Sequence, residues 1–167
     1  PLMAWVDFFR AFPPLVLLVL LFAGLPFAGL ELGGFACVAI AFFLNTGSYY
    51  GEIFRAGIDS VPVGQVEAAR STGLTRMQAM RYVVLPQAVR VSLPPMTNDF
   101  IALLKDSSLI SVVTLTELTK SYSMLANATR DHLGLGLVVA AWYLLIGLPF
   151  VWLSRRLERR FGQHQRR

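Results

Sequence analysis

The sequence has very little cysteine and histidine. Cys37 is the one cysteine among 167 residues, so no disulfide can form within the chain, and its place in an apolar run argues against redox chemistry. His132 and His164 lack the spacing to each other or to Cys37 that a metal site needs, so we expect no bound metal.

Motifs for catalysis and nucleotide binding are also missing. No glycine is followed by lysine, which excludes the glycine-rich phosphate loop of P-loop ATPases. Ser107 and Ser108 beside Lys105 invite a Ser–Lys dyad, but nothing else in the sequence indicates an oxyanion hole. We therefore expect no catalytic residue, no cofactor held by this chain and no enzymatic activity of its own.

Apolar residues dominate what is present. With 55% hydrophobic and 15% charged residues and a mean hydropathy of +0.57, the chain is too apolar for an ordinary soluble domain. Residues 11–30, 32–51 and 132–154 are uncharged runs long enough to cross a bilayer, which takes about 20 helical residues. Residues 91–118 form a fourth candidate crossing, interrupted by charges, with Pro94 and Pro95 near its start. We predict an all-α membrane protein with about four crossings, because 167 residues could not surround three buried helices of a soluble protein.

Arginine is concentrated in two segments, and this sets the expected orientation. Residues 27–33 carry no Lys or Arg, and residues 119–131 carry two. The positive-inside rule therefore places the Arg-rich middle segment and the tail in the cytoplasm. A nucleic-acid partner is the alternative for a net charge of +5, but a basic tail directly after an apolar run is typical of a membrane anchor. The clustered arginines are Arg55, Arg70, Arg76, Arg81 and Arg90 in the middle and Arg155, Arg156, Arg159, Arg160, Arg166 and Arg167 in the tail.

The most informative polar segment is Gly-Gln-Val-Glu-Ala-Ala-Arg-Ser-Thr-Gly at residues 64–73, followed nine residues later by Val-Val-Leu-Pro at 83–86. We interpret it as a short helix, a left-handed break at Gly73, a second short helix and a stop at Pro86. Ala68 and Ala69 would leave a smooth surface that another protein could approach closely. Helical spacing predicts an apolar stripe on the second helix, made of Leu74, Met77, Met80 and Val84.

This series resembles the EAA loop of binding-protein-dependent ABC importer permeases. The flanking residues 47–58, 86–90, 94–95 and 104–109 resemble the polar amino acid branch of that family, the histidine/glutamine type, and the resemblance runs from about Phe8 to the C-terminus. It implies a type I ABC importer permease in the bacterial inner membrane, working by alternating access. Residues 1–167 would be one transmembrane domain, with residues 62–86 as its cytoplasmic coupling segment. Because such permeases usually have a further helix before the segment that begins near Phe8, and this chain begins with Pro1, we expect a fragment or a truncated gene product.

The resemblance also implies partners. These are two cytoplasmic ATPase subunits that hold ATP and Mg²⁺, a second permease subunit, identical or homologous, and an extracytoplasmic substrate-binding protein. The coupling helix would dock on an ATPase, although an amphipathic helix pair lying on the inner leaflet is the alternative. The residues expected to couple to the ATPase are Gly64, Glu67, Ala68, Ala69, Gly73, Leu74, Met77, Leu85 and Pro86.

Charges in the fourth candidate crossing are the second informative feature. Within a bilayer such residues mark a polar path or an internal ion pair. In one interpretation these residues line the route of an amino acid, with Asp106 near its ammonium and Lys105 near its carboxylate. In the other, which we slightly favour, they pair with each other or cap a broken helix. The candidate path residues are Asn98, Asp99, Lys105, Asp106, Ser107 and Ser108, with Asn45, Thr46, Ser48, Tyr49 and Tyr50 as weaker candidates.

Two rival functions stay open. In an ion-coupled secondary carrier, Asp99, Lys105 and Asp106 would bind or relay protons, but the segment at 64–86 would then have no role. The second rival function is that of a truncated, non-transporting membrane scaffold.

Overall fold

The structure is a computed structural model that describes residues 2–113 and 115–161. Every regular element in these residues is helical and none is a strand, which confirms the predicted all-α class. Gln163, His164, Arg166 and Arg167 lie outside the described residues. The α-helices are α1 (Leu2–Ala11), α2 (Pro14–Val19), α3 (Gly34–Asp59), α4 (Val63–Ser71), α5 (Arg76–Ala79), α6 (Leu85–Asp106), α7 (Leu118–Thr129) and α8 (His132–Phe161).

The first apolar run does not form one straight helix. Pro13 is extended and Pro14 opens α2, a position where the missing N–H of proline costs nothing. A π-turn (Leu20–Gly24) and a 3₁₀ turn (Leu25–Ala28) prolong α2, and Gly29 ends the run at φ +76°. Residues Met3–Ala11 and Pro14–Ala28 meet at 93°. The predicted crossing at 11–30 thus begins at Pro14, and the separate helix α1 was not predicted.

Three long helices form the body of the chain. Among the described residues, α8 alone is long and apolar enough to cross a bilayer by itself, and the bent pair of α1 and α2 is a second candidate. The 26 residues of α3 and the 22 of α6 suffice in length, but polar and charged side chains interrupt them. The predicted number of four crossings therefore stays a prediction.

The fourth candidate crossing, predicted at 91–118, does not coincide with one helix. A π-turn (Met80–Val84) joins α5 to α6, so one helical run extends from Arg76 to Asp106. Pro86 lies in the first turn of α6 and does not stop the helix as predicted. We attribute this to the wider π-turn, in which the Leu85 N–H donates to the Met80 carbonyl and the chain absorbs an extra residue before the proline. After Asp106 a 3₁₀ turn (Ser107–Val112) ends the run, and Glu117 caps α7.

Helix α6 lies between α3 and α8, while α1 packs on α3 and α7 on α8. Helices α3 and α6 approach each other closely at Gly57 of α3, where an added Cβ would lie 2.2 Å from Ser92 Oγ and 2.9 Å from the Ala88 carbonyl oxygen. A buried apolar cluster fixes the other end of α3 against α2 and the chain after the 3₁₀ turn. It consists of Leu18, Cys37, Val38, Ala41 and Val113.

A candidate coupling surface and an intramembrane polar face

The break after α4 follows the predicted chemistry. Gly73 has φ +92°, in the left-handed region that glycine enters without strain. The Gly73 N–H donates to the Arg70 carbonyl at 3.0 Å, and the Leu74 N–H to the Ala69 carbonyl at 3.3 Å. This pair of bonds is the Schellman motif, which satisfies the last carbonyls of a helix. The predicted glycine break is therefore confirmed.

A capping box that was not predicted from the sequence starts the next helix. The Thr75 hydroxyl accepts from the Gln78 N–H at 3.3 Å, and the Gln78 side chain accepts from the Thr75 N–H at 2.9 Å. The spacing of threonine and glutamine three residues apart was the available signal. Gly73 and this box fix the angle between α4 and the long run that follows.

The coupling residues divide between an outer and an inner surface. Exposed residues of the predicted set are Gly64, Glu67, Ala68, Gly73, Met77, Leu85 and Pro86, while Leu74 is half-buried. Ala69 is buried at 8% exposure, so it packs inward and does not extend the smooth outer surface with Ala68 as predicted.

The predicted apolar stripe on the second helix is also wrong in part. Met77 is 75% exposed, whereas Ala79 and Val84 are buried. The π-turn at Met80–Val84 changes the number of residues per turn, so a spacing based on a regular α-helix does not follow the buried face.

A side-chain hydrogen bond joins α4 to the long run. Gln87 Nε2 donates to Gln65 Oε1 of α4 at 2.5 Å, and a second bond, to the Val83 carbonyl at 2.8 Å, holds the Gln87 side chain against its own helix. Between α4 and the π-turn lies a cavity of about 280 Å³, lined among others by Val66, Arg70 and Met80. Movement of α4 is thereby linked to α6 through Gln65 and Gln87, which the sequence analysis did not single out.

The polar residues of α6 face two different neighbours. Asn98 turns to α8: its amide donates to Glu158 Oε1 at 3.1 Å, and its carbonyl oxygen accepts from Ser154 Oγ at 2.6 Å. Ser154 is buried at 2% exposure. Asn98 therefore joins α6 to α8, and its polar groups are used within the chain.

Lys105 lies on the same side of α6 as Asn98. It lines a largely apolar cavity of about 340 Å³ together with Glu117 and Tyr143. The Tyr143 hydroxyl lies 2.9 Å from Thr119 Oγ1. The four ion pairs found within residues 2–113 and 115–161 do not include Lys105 with Asp106. The Asp106 side chain makes no capping bond at the 3₁₀ turn either. The favoured interpretation is therefore wrong in that these two charges do not pair and Asp106 does not cap the turn.

Asp99 and Asp106, seven residues apart, share another face of α6. Both are half-buried, and Asp99 Oδ2 is enclosed without a hydrogen-bond partner in the part of the chain that the structure describes. An enclosed carboxylate oxygen without a donor is unfavourable unless something else supplies one. Ser107 and Ser108 are half-buried as well, and Ser107 Oγ donates to the Leu104 carbonyl at 2.6 Å.

A sequence profile described as the binding-protein-dependent transport system inner membrane component matches residues 1–163. The chain belongs to this family. The permease is thus an inner-membrane subunit of a binding-protein-dependent transport system, as the resemblance at residues 64–86 indicated.

Curated relatives and a solved structure agree with this assignment. The permease is 38% identical to the probable glutamine ABC transporter permease protein GlnM of Bacillus subtilis, over 95% of this chain and 75% of the relative. It is 34% identical to the glutamine transport system permease protein GlnP of Escherichia coli, over 95% and 73% of the two chains. It is 39% identical to the L-cystine transport system permease protein TcyB of B. subtilis, over 93% and 68%.

The fold of the permease resembles a crystal structure of an amino acid ABC transporter with histidines. The TM-score is 0.87 and the identity 38%, over 94% of this chain and 73% of that one. The helix arrangement is therefore similar to that of a chain in a solved amino acid ABC transporter.

Proposed function

We propose that this permease imports polar amino acids, driven by a separate ATPase and supplied by an extracytoplasmic binding protein. Residues 1–167 form one transmembrane domain in this proposal, with residues 62–86 as its cytoplasmic coupling segment. The Arg-rich middle segment and tail face the cytoplasm, in line with the positive-inside rule. The relatives that transport glutamine and cystine support the substrate class.

The unbroken helical run from Arg76 to Asp106 is the observation that carries the proposal. At one end it adjoins α4, which exposes Gly64, Glu67 and Ala68 and is tied to the run by Gln65 and Gln87. At the other end the same run carries Asp99 and Asp106. A displacement of α4 by an ATPase would therefore reach both carboxylates through one helix.

Asp99 and Asp106 are the residues that we propose to meet the substrate's ammonium group. The enclosed Asp99 Oδ2, which lacks a donor in the described chain, supports this role because an ammonium supplies charged donors. Lys105 lies on another side of α6 and lines a cavity to which neither Asp99 nor Asp106 contributes, so we do not pair it with the same substrate.

Reconstitution tests the proposal. The permease, purified with its ATPase subunits, is placed in proteoliposomes with the binding protein outside and ATP inside, and uptake of labelled glutamine, histidine and cystine is measured. We expect uptake of at least one of them to require both ATP and the binding protein. Uptake driven by a proton gradient without ATP would support the secondary carrier instead.

Asp99→Asn in the same assay tests the path. It should raise the half-saturating substrate concentration roughly tenfold or more, since a charged hydrogen bond contributes about 1.5–3 kcal/mol. The matched control is Asp131→Asn, where asparagine can still accept the bond from the Gly134 N–H. Equal uptake by both variants would remove Asp99 from the path.

A further inference from the structure

Helix α1 exposes two aromatic side chains next to a buried one. Trp5 and Phe8 are each 56% exposed, and their ring centroids lie 4.6 Å and 5.1 Å from that of Phe9, which is 7% exposed. Asp7 lies two residues from Trp5, on the other side of the helix, with its side chain 64% exposed. Helix α1 is therefore amphipathic, with an aromatic face that nothing in the described chain covers.

Two prolines leave the end of α1 short of hydrogen-bond donors, and α3 supplies them. The carbonyls of Phe9 and Arg10 would normally accept from residues 13 and 14, which are prolines without an N–H. Instead, Asn45 Nδ2 donates to the Phe9 carbonyl at 2.8 Å and to the Phe12 carbonyl at 3.0 Å.

Tyr49, one turn further along α3, completes the attachment. Its hydroxyl donates to the Arg10 carbonyl at 3.1 Å, and its ring lies 5.6 Å from the Arg10 guanidinium carbon. Arg10 also reaches Glu52 at 3.8 Å. Glu52 lies beyond the predicted crossing 32–51, and the hydrogen bond from Arg55 holds the pKa of its carboxyl below the usual range. Asn45 and Tyr49 thus attach α1 to α3 and are not free to line a substrate path.

These contacts set both the height and the direction of α1. Asn45, Tyr49 and Glu52 mark the inner end of the predicted crossing at 32–51, so α1 lies at that level. The 93° angle to Pro14–Ala28 turns α1 into the membrane plane when that segment runs along the membrane normal. The apolar side chains of Leu15 and Val16, which open α2 directly after the bend, are exposed as well.

We propose that α1 lies flat in the cytoplasmic leaflet, with Trp5 and Phe8 at the boundary between headgroups and acyl chains. Tryptophan favours this depth, and an amphipathic helix binds there through its apolar face. The occupant of the aromatic face is therefore lipid. The inference rests on the proposed topology for the identity of the leaflet.

Depth-dependent fluorescence quenching tests the proposal. The chain has three tryptophans, so single-tryptophan proteins are made by changing the other two to phenylalanine. The complete transporter is reconstituted in phosphatidylcholine–phosphatidylglycerol vesicles with spin labels at the headgroup, at a shallow acyl position or at a deep one. We expect Trp5 to be quenched most by the shallow label, and Trp142, 51% exposed near the middle of α8, by the deep one.

The two ways of failing are distinguishable. If Trp142 is quenched by the deep label but Trp5 by none, then α1 lies in water or under another protein segment, and the inference is overturned. If Trp142 also escapes the deep label, the proposed membrane topology fails first.

Asn45→Ala tests the attachment of α1 to α3. The variant should lower the fluorescence anisotropy of Trp5 and its shallow-label quenching, while Asn127→Ala, at an exposed position of α7, should change neither. Tyr49→Phe, which keeps the ring and removes one donor, should give a smaller loss in the same direction. Unchanged Trp5 signals in both α3 variants would refute the attachment.

Discussion

Gly57→Ala should push α3 and α6 apart where Gly57 lies against Ser92 and Ala88. The new Cβ would lie 2.2 Å from Ser92 Oγ, whereas ordinary contact begins near 3.4 Å, so the helices or the serine must shift by about 1.2 Å. The serine hydroxyl can rotate away, but the Ala88 carbonyl oxygen at 2.9 Å belongs to the backbone and cannot. Overpacking of this kind costs about 1–3 kcal/mol, and each kcal/mol lowers the melting temperature by about 2–4 °C in a chain of this size.

The buried thiol of Cys37 provides the assay. It is 0% exposed, so a maleimide dye that fluoresces on reacting with thiols reports unfolding of the detergent-solubilised permease without any engineered probe. Gly51→Ala is the matched control on the same helix, because its new Cβ meets nothing within 4 Å. Alanine favours helix over glycine by about 1 kcal/mol, so the control should melt at the same temperature or higher.

The double variant of Gly57→Ala with Ser92→Ala should recover part of the loss, because only the carbonyl contact at 2.9 Å then remains. If the Gly57→Ala and Gly51→Ala variants have the same melting temperature, the close approach of α3 and α6 at Ser92 is refuted.

Three further predictions concern coupling, charge and topology. Glu67→Lys should abolish stimulation of the ATPase by loaded binding protein while the complex still assembles. The control Glu31→Lys, at an exposed position in the turn at residues 27–33, should leave stimulation unchanged. Normal stimulation in both variants would leave α4 without a coupling role. Lys105→Met and Asp106→Asn should change assembly yield additively, within about 0.5 kcal/mol, because the two side chains do not pair; strong coupling in the double variant would contradict this. A cysteine at position 65, in a protein with Cys37→Ser, should not react with a membrane-impermeant thiol reagent in intact cells. Labelling from outside would show that the topology is the reverse of the one proposed.

The break at Gly73 could be predicted from sequence because its cause is local. Glycine adopts a φ near +90° more readily than other residues, so a glycine directly after a short helical segment predicts a helix end from the local sequence alone. The all-α class followed in the same way from long apolar runs. The family followed from the ordered motif at residues 64–86, which the profile match confirms.

Other features depend on which helix packs against which. Asn98 and Lys105 were predicted together with Asp99 as path residues, but only the packing of α8 on one side of α6 shows that Asn98 binds Ser154 and Glu158. Likewise, a proline normally ends a helix, and the π-turn that carries the chain past Pro86 has no simple sequence signal. The roles of Asn45 and Tyr49 required knowing that α1 folds back onto α3.

The π-turn at Met80–Val84 also decides where the run from Arg76 to Asp106 tolerates a change of length. A π-turn holds one residue more than a regular α-helical turn. Deleting one residue there would leave Ala79 and Val84 four residues apart in a regular helix, so both would still face inward. Deleting one residue between Gln87 and Asp99 would instead rotate everything on its N-terminal side by about 100° relative to Asp99 and Asp106. The second deletion, and not the first, would therefore turn α4 away from its present direction relative to the two carboxylates.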